Sequence, residues 1–201
     1  MNASSDGRPS PKTVLAGATA WVVGADRRLG RSAAVELAAR GALVWAIGTN
    51  ERKLGEAVGE IAYQGGRGKH LCLPAEDASL ASVLAACRAE QAPVASILAL
   101  SVAAAEISAP SFDAIVATAC SALVPRGALL FLLEGTPDEA LADRLRRVAR
   151  TVERRELGQS VNVVAMPSAA GDADGAARLG ALLVTPAAGG LTGQLVVVAS
   201  A

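Results

Sequence analysis

Residues 18–48 read ATAWVVG, ADRRLG, RSAAVELAAR, GALVWAIG. A short apolar run, a turn bearing Gly24 and Gly30, an amphipathic stretch and a second apolar run follow one another, which is the pattern of a βαβ unit. Within the amphipathic stretch Ala33, Leu37 and Ala38 fall on one helical stripe while Arg31, Glu36 and Arg40 face away. Gly41 stands where a C-terminal cap belongs. The run after it is apolar almost throughout, as a parallel strand covered on both faces should be.

The same alternation extends outward from this unit. Helix ERKLGEAVGEIAYQ, strand HLCLP, helix SLASVLAACRAE, strand SILALSV, helix SFDAIVATACSAL and strand GALLFLLEG follow in order. A long helix from Pro137 to about Leu157, strand SVNVVAMP, helix DGAARLGALLV and strand GQLVVVAS complete the chain. Strict alternation of this kind predicts an α/β domain with an open, doubly wound parallel sheet between two helical layers. There is no internal repeat and no linker, so residues 15–201 read as one domain behind a polar, disordered tail over 1–14. The longest helix has a boundary signal: Thr136 as capping hydroxyl, Pro137 at the first helical position and Glu139 to return the hydrogen bond. Leu141, Leu145, Val148 and Val152 recur behind it, with Arg144, Arg147, Arg150, Arg154 and Arg155 on a solvated basic face.

Composition removes several classes of function. The 201 residues carry 19 basic and 19 acidic side chains, so no basic surplus exists for a sequence-independent grip on nucleic acid or anionic lipid. Hydrophobic residues make up 52%, yet Gly, Pro or charge interrupts every apolar run before the roughly 18 residues that would span a bilayer. The polar start, MNASSDGRPSPKT, lacks the apolar stretch of a signal peptide. Cys72, Cys87 and Cys120 are scattered and form no disulfide framework, which fits a reducing cytoplasm.

Four blocks together resemble the short-chain dehydrogenase/reductase (SDR) family. LAGATAWVVGADRRLGRSAAVELAARGALVWAIGTNERKL is similar to that family's first βαβ unit with its glycine-rich turn, and LPAEDASLASV to the segment beside the adenine. TVERRELGQSVNVVAMP resembles the end of the catalytic helix with the sixth strand, and LLVTPAAGGLTGQLVVV the last helix and strand. The resemblance implies a Rossmann-like three-layer αβα fold with NAD(P) at the first turn. The implied cofactor contacts are Gly24, Arg27, Arg28 and Gly30.

Measured against that family the site is degenerate. Arg28 stands at the middle position of the turn, where the family has a residue small enough for the backbone to approach a pyrophosphate. Its guanidinium either fills the pyrophosphate volume, pairing with Asp26 or chain nearby, or swings out and adds a phosphate contact beside Arg27 and Arg31. Nucleotide binding is expected to be weak or blocked, leaving the turn vestigial. Gly48-Thr49-Asn50, at the end of the second strand, holds neither an acid for a ribose hydroxyl nor a base for a 2′-phosphate. Leu100-Ser101-Val102-Ala103 stands in place of the family's Asn-Asn-Ala-Gly. The family's chemistry needs a tyrosine followed four positions later by a lysine that lowers the phenol's pKa. The sole tyrosine is Tyr63 and the last lysine is Lys69, while the family's spacing counted back from Asn162 lands on Thr136 and Ala140. The fourth crossover is short, with room for a helix of about three turns, and the last helix follows Pro167 without the segment that closes over substrate.

Other chemistries are poorly supplied. His70 and Cys72 lie two apart on a strand and share a face, but nothing orients them as a nucleophilic pair, so a core thiol beside an edge histidine is the reading preferred. One histidine and three separated cysteines give no zinc spacing. Glu76 and Asp77 are adjacent and read as a solvated loop. Ser101 lies at a ligand-binding sheet edge without a base to activate it, and Trp21 and Trp45 read as packing residues.

The resemblance therefore implies a pseudoenzyme with no catalytic residue and no required cofactor. The expected partner is an active SDR-family dehydrogenase, by analogy with heteromeric enzymes of the (hydroxybenzyl)succinyl-CoA dehydrogenase type, or a second copy of the chain itself. The alternative is a nucleotide-binding enzyme with altered or non-redox chemistry that uses Arg27, Arg28 and Arg31. A homo-oligomeric sensor of some other small molecule is a third reading.

Overall fold

Strand β1 (Thr19–Val23) is the central element around which the sheet is laid, with β2 (Leu43–Gly48) on one side and β4 (Ala95–Ala103) on the other. The computed structural model describes residues 14–77, 79–107, 109–153, 158–167, 172–185 and 191–198. Beyond β2 lies β3 (Arg67–Cys72); beyond β4 lie β5 (Leu123–Glu134), β6 (Ser160–Met166) and β7 (Leu195–Val197). The order is β3-β2-β1-β4-β5-β6-β7 and every pairing is parallel. The direction of winding reverses between β1 and β4, which opens a crevice at the carboxyl ends of those strands. The expected doubly wound α/β sheet is present in full.

Helices α1 (Arg28–Ala39), α2 (Glu51–Tyr63) and α6 (Ala173–Leu183) cover one face; α3 (Leu80–Ala89), α4 (Ala109–Ser121) and α5 (Glu139–Glu153) cover the other. The two-residue period of the strands divides the core accordingly. In β5, Leu130 and Leu132 join the layer with α1 and α6, while Leu129, Phe131 and Leu133 face α4. Trp21 and Trp45 are register partners on the α3 side and are 4% and 5% exposed, which makes them packing residues as expected. Because aromatic residues are scarce, the first layer closes through small side chains: Ala33 and Ala34 of α1 with Ala176, Ala177 and Ala181 of α6. A Cβ at Gly180 would sit 2.9 Å from a Leu130 methyl carbon.

Helix ends show why the boundaries fall where they do. Gly41, at φ +100°, closes α1: its N–H donates to Ala38 O and that of Ala42 donates to Leu37 O. The cap of α5 differs from the expectation. Asp138, not Thr136, accepts from the N–H of Leu141 at 2.7 Å, and the helix begins at Glu139. An aspartate three residues before a free N–H outcompetes the more distant hydroxyl, leaving Pro137 ahead of the helix. The helix is described to Glu153, and residues 154–157 of the expected span lie outside the described residues. So do residues 1–13 of the expected tail. Leu15, by contrast, is buried, and its N–H donates to Arg40 O. The short fourth crossover carries the 13 residues of α4, just over three turns. Only residues 167–172 separate β6 from α6.

Candidate functional site

The crevice at the winding reversal is a cleft of about 630 Å³. Gly24, Asp26, Arg27 and Arg28 form one lip, Gly48 to Asn50 with Lys53 a second, and Ser101, Val102, Glu106 and Glu134 the floor and far wall. Of the cofactor residues expected from sequence, Gly24, Arg27 and Arg28 meet on this cleft, while Gly30 lies behind the turn.

The two glycines are held there by contact. Gly24 has φ +78°, and a Cβ on it would stand 2.4 Å from Ser101 O. A Cβ on Gly30 would stand 2.1 Å from Gly24 O and 2.9 Å from Ser101 Cβ. The turn is therefore pressed against the end of β4 so closely that no side chain fits at either position. Ser101 is 1% exposed, and its hydroxyl finds no hydrogen-bond partner among the described residues.

Helix α1 starts with Arg27 in the capping position, without a side-chain cap and without an acid in its first turn. Its positive dipole end thus faces the cleft without an acid of its own first turn, an arrangement suited to an anion. Carboxylates from other elements supply it. Glu134, the last residue of β5, accepts from the N–H of Leu29 at 3.3 Å. Glu106, in the single 3-10 turn after β4, takes Arg27 Nη2 on both carboxylate oxygens at 2.9 Å and accepts from the N–H of Ala103 at 3.3 Å. At the neighbouring helix Asp26 accepts from the N–H groups of Thr49 and Asn50 at 2.9 and 3.1 Å and from the Thr49 hydroxyl at 3.3 Å. The acid missing from the end of β2 in sequence is thus delivered by the turn, and Gly48 makes room for it: a Cβ there would stand 2.5 Å from Asp26 Oδ1.

Arg31 departs from the phosphate role considered for it. It points along α2, pairing with Glu60 at 2.9 Å and Glu56 at 3.4 Å, and does not line the cleft. β2, β3 and β4 lie between the turn and Glu106, and β5 as well before Glu134, so no local pattern joins either acid to the turn. The one available signal is that Glu134 ends an apolar strand at the carboxyl edge of a parallel sheet. Nothing marks Glu106.

Tyr63 ends α2, a 13-residue helix that starts at the cleft, so it lies about 20 Å along the helix from that edge. It is 93% exposed. Thr136 and Ala140 are both exposed. His70 Nε2 lies 2.7 Å from Glu51 Oε1, and Cys72 has its pKa raised by burial and by the neighbouring Glu51, which keeps it a thiol. Glu76 is exposed in the 3-10 turn Ala75–Asp77. No three His, Cys, Asp or Glu side chains among the described residues are grouped so as to hold a metal ion.

Comparison with known proteins adds to this geometry. No protein-family model matches the sequence, and no curated protein matches it. Solved structures match closely in shape. A hydroxysteroid dehydrogenase from Escherichia coli superposes with TM-score 0.74 at 19% identity, over 92% of this chain and 96% of that one. A short-chain dehydrogenase/reductase from Serratia marcescens gives 0.69 at 19%, over 92% and 97%. The fold is that of the short-chain dehydrogenases/reductases. The angucycline C-6 ketoreductase LanV, solved with bound NADP, has the same SDR fold at TM-score 0.69 and 20% identity, over 92% of this chain and 95% of its own.

A dinucleotide in an SDR-type cleft places its diphosphate on the first turn of the first helix. In this chain the donors there do not fit a diphosphate as arranged, because Glu134 and Glu106 already engage Leu29 N–H and Arg27. No helix among the described residues is long and apolar enough to cross a membrane.

Proposed function

We propose that this chain is an SDR-family protein that has lost the family's chemistry and works by association, as a non-catalytic subunit supporting an active NAD(P)-dependent dehydrogenase of the same fold. The observation that carries this reading is the position of the only tyrosine. Tyr63 stands 93% exposed at the end of α2 remote from the cleft. At Thr136 and Ala140, where the acid/base pair of an SDR would stand, there is a threonine and an alanine. Neither an alkyl hydroxyl nor a methyl group exchanges a proton with a carbonyl near neutral pH.

Exposed apolar surface supports association. Around β7, Leu182, Leu191 and Val197 are large apolar residues about half exposed, at 50%, 48% and 49%. Among the described residues no strand pairs with the outer edge of β7. An apolar rim beside an open strand edge is a surface that a partner would cover.

The test is co-expression with active SDR-type NAD(P)-dependent dehydrogenases of the same organism. The reading expects the two chains to elute together, the partner to lose activity or stability without this chain, and the isolated chain to turn over no alcohol or ketone with NAD(H) or NADP(H). Separate elution with a partner fully active alone would sink it. The size of the cleft and the presence of Arg28 and Lys53 on its wall favour a second reading, a nucleotide-binding enzyme with altered chemistry. Turnover by the isolated chain that Arg28→Glu abolishes would select that reading instead.

A further inference from the structure

We infer that the cleft is self-occupied: Glu134 and Glu106 serve as built-in anions on the first turn of α1, so the site excludes ligands bearing a diphosphate. The inference does not depend on whether the chain joins a partner, because it concerns what the isolated protein binds.

It follows from where the donors go. The sequence gives α1 no capping side chain and no acid in its first turn, so the positive end of the helix favours an anion brought from elsewhere. In an open parallel sheet that anion is ordinarily a ligand, because the helix start faces the crevice. Here β5 ends in Glu134, whose carboxylate reaches the N–H of Leu29. The 3-10 turn after β4 brings Glu106 to Arg27, the capping residue of that helix. Glu106 is itself held in place by the N–H of Ala103. Two strands next to one another in the sheet thus each contribute one carboxylate to the same helix end.

Charge closes the case. Among the described residues the ionisable side chains lining the cleft are Asp26, Glu106 and Glu134 against Arg27, Arg28 and Lys53, a balanced set. Asp26 is committed to the start of α2 through Thr49 and Asn50. A diphosphate would have to displace Glu106 from Arg27 and Glu134 from Leu29 and then lie beside both, with no surplus of positive charge among the described residues to compensate.

The experiment titrates the purified full chain with inorganic pyrophosphate and with NADP, by calorimetry at low salt. Wild type is expected to bind neither measurably. Glu106→Ala with Glu134→Ala opens the donors and is expected to raise pyrophosphate affinity at least about tenfold, with NADP following in the same direction. Glu106→Gln with Glu134→Gln keeps side-chain size while removing both charges; it is the deciding variant should the alanine pair fail to fold, and the same gain is expected of it. Wild type that binds pyrophosphate as tightly as the folded double variants, or folded double variants that gain nothing, would overturn the inference. Either result leaves the association reading standing, since that is judged by co-elution and turnover.

Discussion

Arg27 and Glu106 stand 79 residues apart in sequence and meet across the mouth of the cleft, with Nη2 of the arginine 2.9 Å from both carboxylate oxygens. Their side chains are 37% and 52% exposed, so water screens the pair and its share of the folding free energy is about 0–1 kcal/mol. Glu106→Gln should therefore change the unfolding free energy in urea by less than about 1 kcal/mol. A loss well beyond that would make the pair part of the scaffold and not of the cleft's electrostatics.

Glycines at the turn and on the outside of α2 should respond in opposite directions to the same substitution. Gly30→Ala drives a Cβ to 2.1 Å from Gly24 O, a clash with backbone that nothing flexible relieves, and should cost at least about 3 kcal/mol or prevent folding. Gly55 sits exposed in the interior of α2, where an added methyl group would meet nothing within 4 Å. Gly55→Ala should stabilise the protein by about 0.5–1 kcal/mol through helix propensity. Thermal unfolding of the two variants side by side checks both signs.

Asn162 is fully buried in β6 and fastens the last segment of the chain. Its Nδ2 donates to Leu191 O at 2.9 Å and its Oδ1 accepts from the N–H of Gln194 at 3.2 Å. Asn162→Leu strands both backbone groups, at a cost of about 2–4 kcal/mol. Amide hydrogen exchange should quicken over residues 191–198 before it does so in β1 or β4.

Burial of Cys87 in α3 pushes its thiol from 9.0 to about 11. A raised folded-state value means that the unfolded chain loses the proton first, so the stabilising effect is complete below pH 9 and disappears as the pH climbs to 11. Wild type should lose about 1–2 kcal/mol more than Cys87→Ala over that window, less than the unscreened linkage because water relaxes around a forming thiolate. Urea midpoints at the two ends of the range measure it. An identical slope in both proteins would show that the thiol is not the group responsible.

Most of the fold was legible because it rests on local periodicity. The apolar runs around Trp21, Trp45, Leu98 and Phe131 became strands, and Gly41 ended α1, because each signal acts over a few residues. The cap of α5 went to Asp138 because several capping residues stood together and only their geometry ranks them.

Sequence alone determined the winding of the sheet and the turn built on Gly24 and Gly30. Tertiary structure decided what fills the start of α1. Asp26 turning to Thr49 and Asn50, Arg31 turning to Glu60, and Glu106 and Glu134 converging on Arg27 and Leu29 are contacts between strand ends far apart in the chain. Hydrophobic periodicity marks which face of an element is buried, but it carries no information about which charged side chains meet at a sheet's edge. That is fixed only when the strands take their order and bring their ends together.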